Sequence, residues 1–413
     1  MTSTTALDER LAEGLRSVGQ ADLLVGIPSF NNAGTVGHVA RVASEGLRAA
    51  FPGLRAVVVN ADGGSKDGTP QKVLESVEGV PAIAGAYRGL PGKGSAFRAI
   101  FQVAAAVGAR ACAVVDSDLR SITPAWVERL LRPIVEDRAD YVTPLYARHK
   151  HDGTITNTIA YPFTRALYGL RVRQPIGGEF GFSGELAAVF AEGGALGRGV
   201  WDTDVARFGI DIYMTTTAIA RGARVAQAFL GAKIHDPKDP GADLAPMFTQ
   251  VVGTALRLAD TNAAVWTSIE GSREVPVDAG GEPVEPEEVR ADVALLRRKF
   301  HEGAAERRST LDSMLGADTR AAIRQAIDRD DPSMLAGPMW ARVVYDAAVS
   351  SRRIPERMST YLSALVPLYF GRVAAFIEAA ADLTTEQAER LVEEQALAFE
   401  AEKPYLRMRW ERS

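Results

Sequence analysis

This sequence predicts an α/β fold with a mainly parallel sheet, followed by a C-terminal helical region. Three observations predict it: apolar runs alternate with helically spaced segments up to residue 115, polar clusters follow directly on the apolar runs, and the pattern turns wholly helical near Ala245. Residues 23–28 (LLVGIP) are a short apolar run closed by proline, the pattern of a buried strand. Residues 35–50 carry Val36, Val39, Val42 and Leu47 at helical spacing. Residues 54–59 form a second strand with a β-branched run, and Pro70 suits the first turn of a helix over 70–77. A third strand is expected at 81–87, an Ala-rich helix at 94–107, and a fourth strand at 111–115 with Asp116 at its end. Such alternation predicts right-handed crossovers between parallel strands. Residues 141–236 are less regular and Gly-rich at 177–184 and 193–199, with a strand expected at 225–229. Helices follow at 247–260, 286–304, 318–328, 339–350, 355–379 (kinked at Pro367) and 385–401, with a loop over 271–283.

Composition narrows the classes. The 413 residues are 46% hydrophobic and 24% charged, with a formal net charge of -5, which suits a globular protein and lacks the basic face of a nucleic-acid binder. The densest basic group, Arg148-His149-Lys150-His151, is too short for a polyanion tract. The single cysteine, Cys112, lies in an apolar run, which excludes a disulfide framework and reads as a small buried hydrophobe. Residues 1–20 are polar and mixed in charge, with no signal-peptide pattern, and no apolar run reaches about 18 residues. A cytoplasmic protein without a transmembrane segment is expected.

Ligands of open α/β sheets bind beyond the carboxyl ends of the strands. Three polar clusters fall at such ends: Ser29 to Asn32, Asn60 to Asp67, and Asp116-Ser117-Asp118. Two carboxylates at the Asp-x-Asp spacing can grip a hard divalent cation that bridges two phosphates. Alone, that spacing reads equally as a solvated turn. Pro91-Gly92-Lys93-Gly94 adds a lysine between glycines, where backbone can approach an anion closely.

In order, Pro28-Ser29-Phe30-Asn31-Asn32, Asp62-Gly63-Gly64-Ser65-Lys66-Asp67-Gly68-Thr69 and Asp116-Ser117-Asp118 resemble the donor loops of GT-A glycosyltransferases of the family 2 type. The resemblance implies a GT-A (Rossmann-like) nucleotide-sugar-binding domain whose donor site uses Pro28, Ser29, Asn31, Asp62, Gly63, Lys93, Asp116 and Ser117. Asp62 would bond the nucleobase, and Lys93 would lie near the diphosphate or base. Asn31-Asn32 replaces the usual Asn-Glu, and Gly63 stands where a second Asp is common, so the base is left open. Gln174-Pro175-Ile176-Gly177-Gly178-Glu179, Phe208-Gly209-Ile210-Asp211 and Lys233-Ile234-His235 resemble segments of the retaining glucosyl-3-phosphoglycerate and mannosylglycerate synthases, extending the likeness over about residues 22–256. It implies Asp118 and His235 as metal ligands for Mn²⁺ or Mg²⁺, and Asp116 on ribose or metal. Glu179 would orient the sugar, and Asp211 would bind sugar or acceptor hydroxyls.

Arg148, Asp152 and Thr156 repeat the spacing with which mannosylglycerate synthase holds glycerate. Gly153-Thr154-Ile155-Thr156 lacks the phosphate-binding Arg of the Gly-Arg-Val-Thr segment in the phosphoglycerate enzymes, which favours an unphosphorylated acceptor, with Lys150 or Arg173 as substitute cations. The implied organisation is a lead at 1–21, a catalytic domain at 22–244 (donor half 22–140, acceptor half 141–244) and helices at 245–413 that pack on it or form a homodimer. The implied activity is retaining transfer of a hexose from GDP-mannose or UDP-glucose to a small hydroxy acid such as glycerate. A glycolipid or polysaccharide acceptor is an alternative. A sugar nucleotidyltransferase would carry a Gly-rich basic loop after strand one, where this chain has Pro28 to Asn32. A non-catalytic nucleotide-sugar binder would be expected to have lost Asp118 or His235, and both are present.

Overall fold

The computed structural model describes residues 5–234, 240–278, 280 and 286–413. The chain forms two compact units: Met1–Ala147 with Ile176–Asp239 and Val275–Pro286, and Arg148–Pro175 with Pro240–Glu274 and Glu287–Ser413.

The first unit begins with α1 (Glu9–Val18), β1 (Leu23–Ser29), α2 (Val36–Ala50), β2 (Ala56–Asp62), α3 (Thr69–Ser76) and β3 (Ala82–Ala86). It continues with α4 (Lys93–Val107), β4 (Ala111–Val114), α5 (Pro124–Val135) and β5 (Tyr141–Ala147). The chain then passes through the second unit, including α6 (Tyr161–Tyr168), and returns for β6 (Phe180–Ser183), α7 (Gly184–Ala191), α8 (Ile210–Ala220), β7 (Val225–Ala232) and β8 (Val277–Asp278). The sheet order is β3-β2-β1-β4-β6-β5-β7-β8. Pairings are parallel except those of β6, which runs antiparallel to β4 and β5. β1 and β2 are buried along their whole length, which is why both read as nearly continuous apolar runs. Val25 and Ile27 of β1, Val39, Val42 and Leu47 of α2, and Trp126 and Leu130 of α5 share one core.

The expected α/β order holds through β4, and the helix expected at 35–50 is α2. The irregular reading of 141–236 is corrected: it contains β5 and β6 as well as the expected β7. β6 was hidden by glycine. A Cβ on Gly181 would lie 2.0 Å from the Leu130 carbonyl oxygen of α5, so only glycine lets this strand pass under the helix. The loop expected at 271–283 contributes β8, paired with β7 through Gln227 and Val277. The lead residues are structural: Asp8 caps α1 through the Leu11 amide and also accepts the Ala86 amide at the end of β3, and Leu11 is buried.

The second unit is helical, with α9 (Pro240–Thr261), α10 (Ala263–Trp266), α11 (Val293–Glu306), α12 (Arg308–Met314), α13 (Ala317–Asp328), α14 (Gly337–Arg353), α15 (Met358–Ala379), α16 (Thr385–Ala401) and α17 (Lys403–Glu411). Pro367 lies within α15 without ending it. The stretch Pro355–Ala379 is long and apolar enough to cross a membrane by length and composition, and 78% of its apolar window is buried inside the protein, as in a core helix. The units do not divide at residue 244. Residues 148–175 belong with the C-terminal helices: the Trp340 indole donates to the Thr158 carbonyl at 2.8 Å, and fully buried Arg165 pairs with Glu393 and Glu400 at 2.7 and 2.6 Å.

Candidate active site

β1 and β4 are neighbours, while the chain leaves β1 towards β2 on its other side. This switch point opens a crevice at the strand carboxyl ends. The three expected clusters meet there. Asn60 of β2 donates to the Ile27 carbonyl and the Ser29 hydroxyl, and the Gly63 amide donates to the Ser29 carbonyl. Pro28 lies opposite Ala61 in the β1–β2 register. Asn31, with φ of 55°, donates its amide to the Ser65 hydroxyl and accepts from the Lys66 amide. The Ser117 hydroxyl donates to the Asn32 side chain at 2.9 Å, and Thr35 donates to the Ser117 carbonyl at 2.9 Å. The Asp-Ser-Asp turn is therefore bolted to the first loop.

Asp62 differs from its expected part. One carboxylate oxygen accepts the Gly64 and Ser65 amides at 2.9 and 2.6 Å, and the other accepts the Ser29 and Ser65 hydroxyls at 2.7 Å each. Four donors fill a carboxylate's lone-pair sites. Asp62, only 1% exposed, spends its carboxylate on shaping its own loop rather than facing a base.

Deeper in, three acids and two lysines converge. Lys93, the first residue of α4, places its ammonium 2.8 Å from one oxygen of Asp116, 3.4 Å from Asp211 and 3.3 Å from the Gly178 carbonyl. Lys233, just past β7, lies 2.9 Å from the other Asp116 oxygen, 3.0 and 2.9 Å from the two oxygens of Glu179, and 3.1 Å from the Gly177 carbonyl. Tyr146 donates to Glu179 in a very short hydrogen bond. With three carboxylates and two ammonium groups the cluster carries a formal charge of -1 (-3 + 2). Burial opposes the charge of Lys93, but Asp116, Asp211 and Glu179 outweigh it and hold the ammonium well above the ordinary lysine range. Burial pushes Glu179 up to about 7 against the opposing pull of Lys233, and it also raises Asp211. Among the described residues the buried Oδ1 of Asp211 has no hydrogen-bond partner within bonding geometry, and its ion pair with the Lys93 ammonium is long, at 3.4 Å. Gly178 makes the meeting possible. A Cβ there would stand 2.7 Å from the Lys233 nitrogen and 2.9 Å from Asp116.

The expectation that Asp116 ligates metal or ribose is at odds with these surroundings, because each of its oxygens is taken by an ammonium group. Asp118, two residues on, is half-buried. His235 lies outside the described residues. Its neighbour Ile234 is tied to the turn after Asp118, through its carbonyl to the Arg120 amide and its amide to the Ser121 hydroxyl, both at 2.9 Å. Among the described residues no three His, Cys, Asp or Glu side chains form a metal-ready group. From the sequence Lys233 enters only as the opening of the Lys233-Ile234-His235 segment, without a role, and Tyr146 is given none. The available signal was that Lys233 follows a strand and precedes His235.

The expected acceptor residues lie in the second unit. Arg148 pairs with Asp152 at 2.8 Å and donates to Gln174 at 3.3 Å, while Asp152 also accepts the Gly153 amide. Thr156 is buried and opens a π-helical turn (Thr156–Ala160), a rare geometry often found at functional sites. Lys150 donates at 2.8 Å to each of the Ala380, Ala381 and Leu383 carbonyls just past the end of α15. Arg173 is held by Glu389 and Asn157. Both substitute cations are therefore engaged within the unit. His149, Lys150 and His151 line a cleft of about 630 Å³ with Glu288 to Ala291.

Residues 24–189 match the glycosyl transferase family 2. No curated protein matches the chain. Among solved structures, glucosyl-3-phosphoglycerate synthase from Mycobacterium tuberculosis in complex with Mn²⁺, UDP and glucosyl-3-phosphoglycerate is 24% identical, with a TM-score of 0.45 over 60% of this chain and 84% of that one. The same enzyme with Mg²⁺ and UDP is 23% identical, with a TM-score of 0.44 over 62% and 85%. With Mn²⁺, UDP-glucose and glycerol 3-phosphate it is 22% identical, with a TM-score of 0.45 over 62% and 89%. The family match spans β1 to α7, the elements that carry Ser29, Asp62, Lys93, Asp116 and Glu179. This chain carries a family 2 glycosyltransferase domain of the GT-A fold over residues 24–189, and it is a glycosyltransferase.

Proposed function

We propose that this glycosyltransferase moves a hexose from a nucleoside-diphosphate sugar, GDP-mannose or UDP-glucose, to a small hydroxy acid such as glycerate, with retention of configuration and with a divalent cation. The observation that carries the reading is the buried convergence of Lys93 and Lys233 with Asp116, Glu179 and Asp211 beside the Asp-Ser-Asp turn. A leaving diphosphate needs cations beside its oxygens, and the largely buried ammonium groups of Lys93 and Lys233 are the ones this site offers once phosphate competes for them with the carboxylates.

Asp118 and His235 would hold the cation, since carboxylate oxygen and neutral imidazole suit Mn²⁺ and also accept Mg²⁺. When bound it would offset the charge that grows on the departing phosphate. Asp211 would offer its Oδ1, held only by a long ion pair with Lys93, to a hydroxyl of the sugar or acceptor. Glu179 and Asp116 are engaged by lysine, so neither stands ready as a nucleophile. That arrangement suits front-face attack, in which the departing phosphate oxygen takes the acceptor's proton while the protein supplies orientation and charge. Arg148 can grip a carboxylate bidentately, with Asp152 and Thr156 bonding hydroxyls. The engagement of Lys150 and Arg173 favours an acceptor without a phosphate.

The test is transfer from GDP-mannose and UDP-glucose to glycerate with Mn²⁺, with product NMR of the anomeric centre. Asp118→Ala or excess EDTA is expected to abolish transfer. Full activity in either refutes the metal site, and an inverted product refutes retention.

A further inference from the structure

Asp116 holds two bonds that a donor would contest. Its oxygens face different ammonium groups, Lys93 at 2.8 Å and Lys233 at 2.9 Å, and those groups are the buried cations on which a diphosphate would settle. We infer that Asp116 is a placeholder for the donor's diphosphate: the two lysines keep its carboxylate from the cation until phosphate oxygens take them over, and only then does Asp116 turn to the metal. The inference rests on the donor-site reading proposed above.

Three features support the exchange. First, neither lysine is stranded when Asp116 leaves, because Lys233 keeps both oxygens of Glu179 and Lys93 keeps Asp211 at 3.4 Å. The ammonium groups therefore stay charged and in place for an incoming anion. Second, the backbone of the turn is pinned by Ser117 to Asn32 and Thr35, so the swap needs only a side-chain rotation at Asp116. Third, a cation arriving alone finds both oxygens of Asp116 already held by ammonium groups at 2.8 and 2.9 Å, and must break those ion pairs to share the carboxylate. Bound phosphate takes over the ammonium groups and lifts that cost. Nucleotide and metal thus bind with positive coupling, part of which passes through Asp116.

Mn²⁺ binding followed by the EPR signal of the free ion tests this without turnover, with and without UDP or GDP. Asp116→Asn is expected to leave Mn²⁺ affinity within about twofold of wild type without nucleotide, and to weaken it by about tenfold or more with nucleotide, a difference of about 1.4 kcal/mol. Lys93→Met, with Lys93→Gln as a second variant should the first fold poorly, is expected to tighten Mn²⁺ binding without nucleotide by several-fold. Equal weakening by Asp116→Asn under both conditions overturns the inference, because Asp116 would then be a ligand from the start. Unchanged or weaker binding in folded Lys93 variants overturns it as well. If wild type retains no Mn²⁺ even with nucleotide, the donor-site reading itself fails, and the inference with it.

Discussion

Lys233→Met removes a charge and keeps most of the side-chain volume, so it isolates the electrostatic part of the buried cluster. Lys233 is the main counter-charge of Glu179, which is fully buried, and shares Asp116 with Lys93. Its loss takes the cluster from a formal charge of -1 to -2 (three carboxylates against one lysine). Removing one partner of a buried pair costs about 3–5 kcal/mol, or about 6–20 °C in Tm for a domain of roughly this size. The penalty depends on pH. The folded pKa of Glu179 is raised by burial to about 7, above its unfolded value, so the stability this group contributes is complete at low pH and is lost as pH rises through the folded value. Without Lys233, which pulls that value down, the carboxyl holds its proton to still higher pH. The loss relative to wild type is therefore expected to be small near pH 5 and clearly larger at pH 8. Thermal melts followed by circular dichroism at both pH values measure it. An equal loss at the two would mean that Lys233 acts by packing, and no loss at either would refute the buried-pair argument.

Two other substitutions probe the supports. Asp62→Ala leaves the Gly64 and Ser65 amides without their acceptor and should cost about 2–4 kcal/mol in urea unfolding, with weaker nucleotide binding by calorimetry. Lys150→Met uncaps three carbonyls after α15 and should cost about 1–3 kcal/mol, raising KM for the acceptor while donor hydrolysis without acceptor stays unchanged.

The donor half was legible because its signals are local. A strand buried on both faces must be an apolar run, and the next residues must be polar if they face a ligand, so Ser29, Asp62 and Asp116 could be picked out one by one. β6 was not legible, because Gly181 answers to α5 passing above it and not to its own neighbours in sequence. The membership of residues 148–175 in the helical unit was hidden likewise: Thr158 meets Trp340 and Arg165 meets Glu393 across more than 180 residues.

The sequence by itself determined the order of strands and helices, the three loops that face the crevice and the acids they carry, because burial and backbone geometry impose those residue types locally. Only the tertiary structure decided what each charge does. It turned Asp62 inward to its own loop, set Lys93 and Lys233 on the two oxygens of Asp116, and brought Glu179 and Tyr146 together. A carboxylate's partners are chosen by distances of about 3 Å, for Lys233 to residues 54 and 117 positions away, and a linear pattern of residue types does not contain those distances.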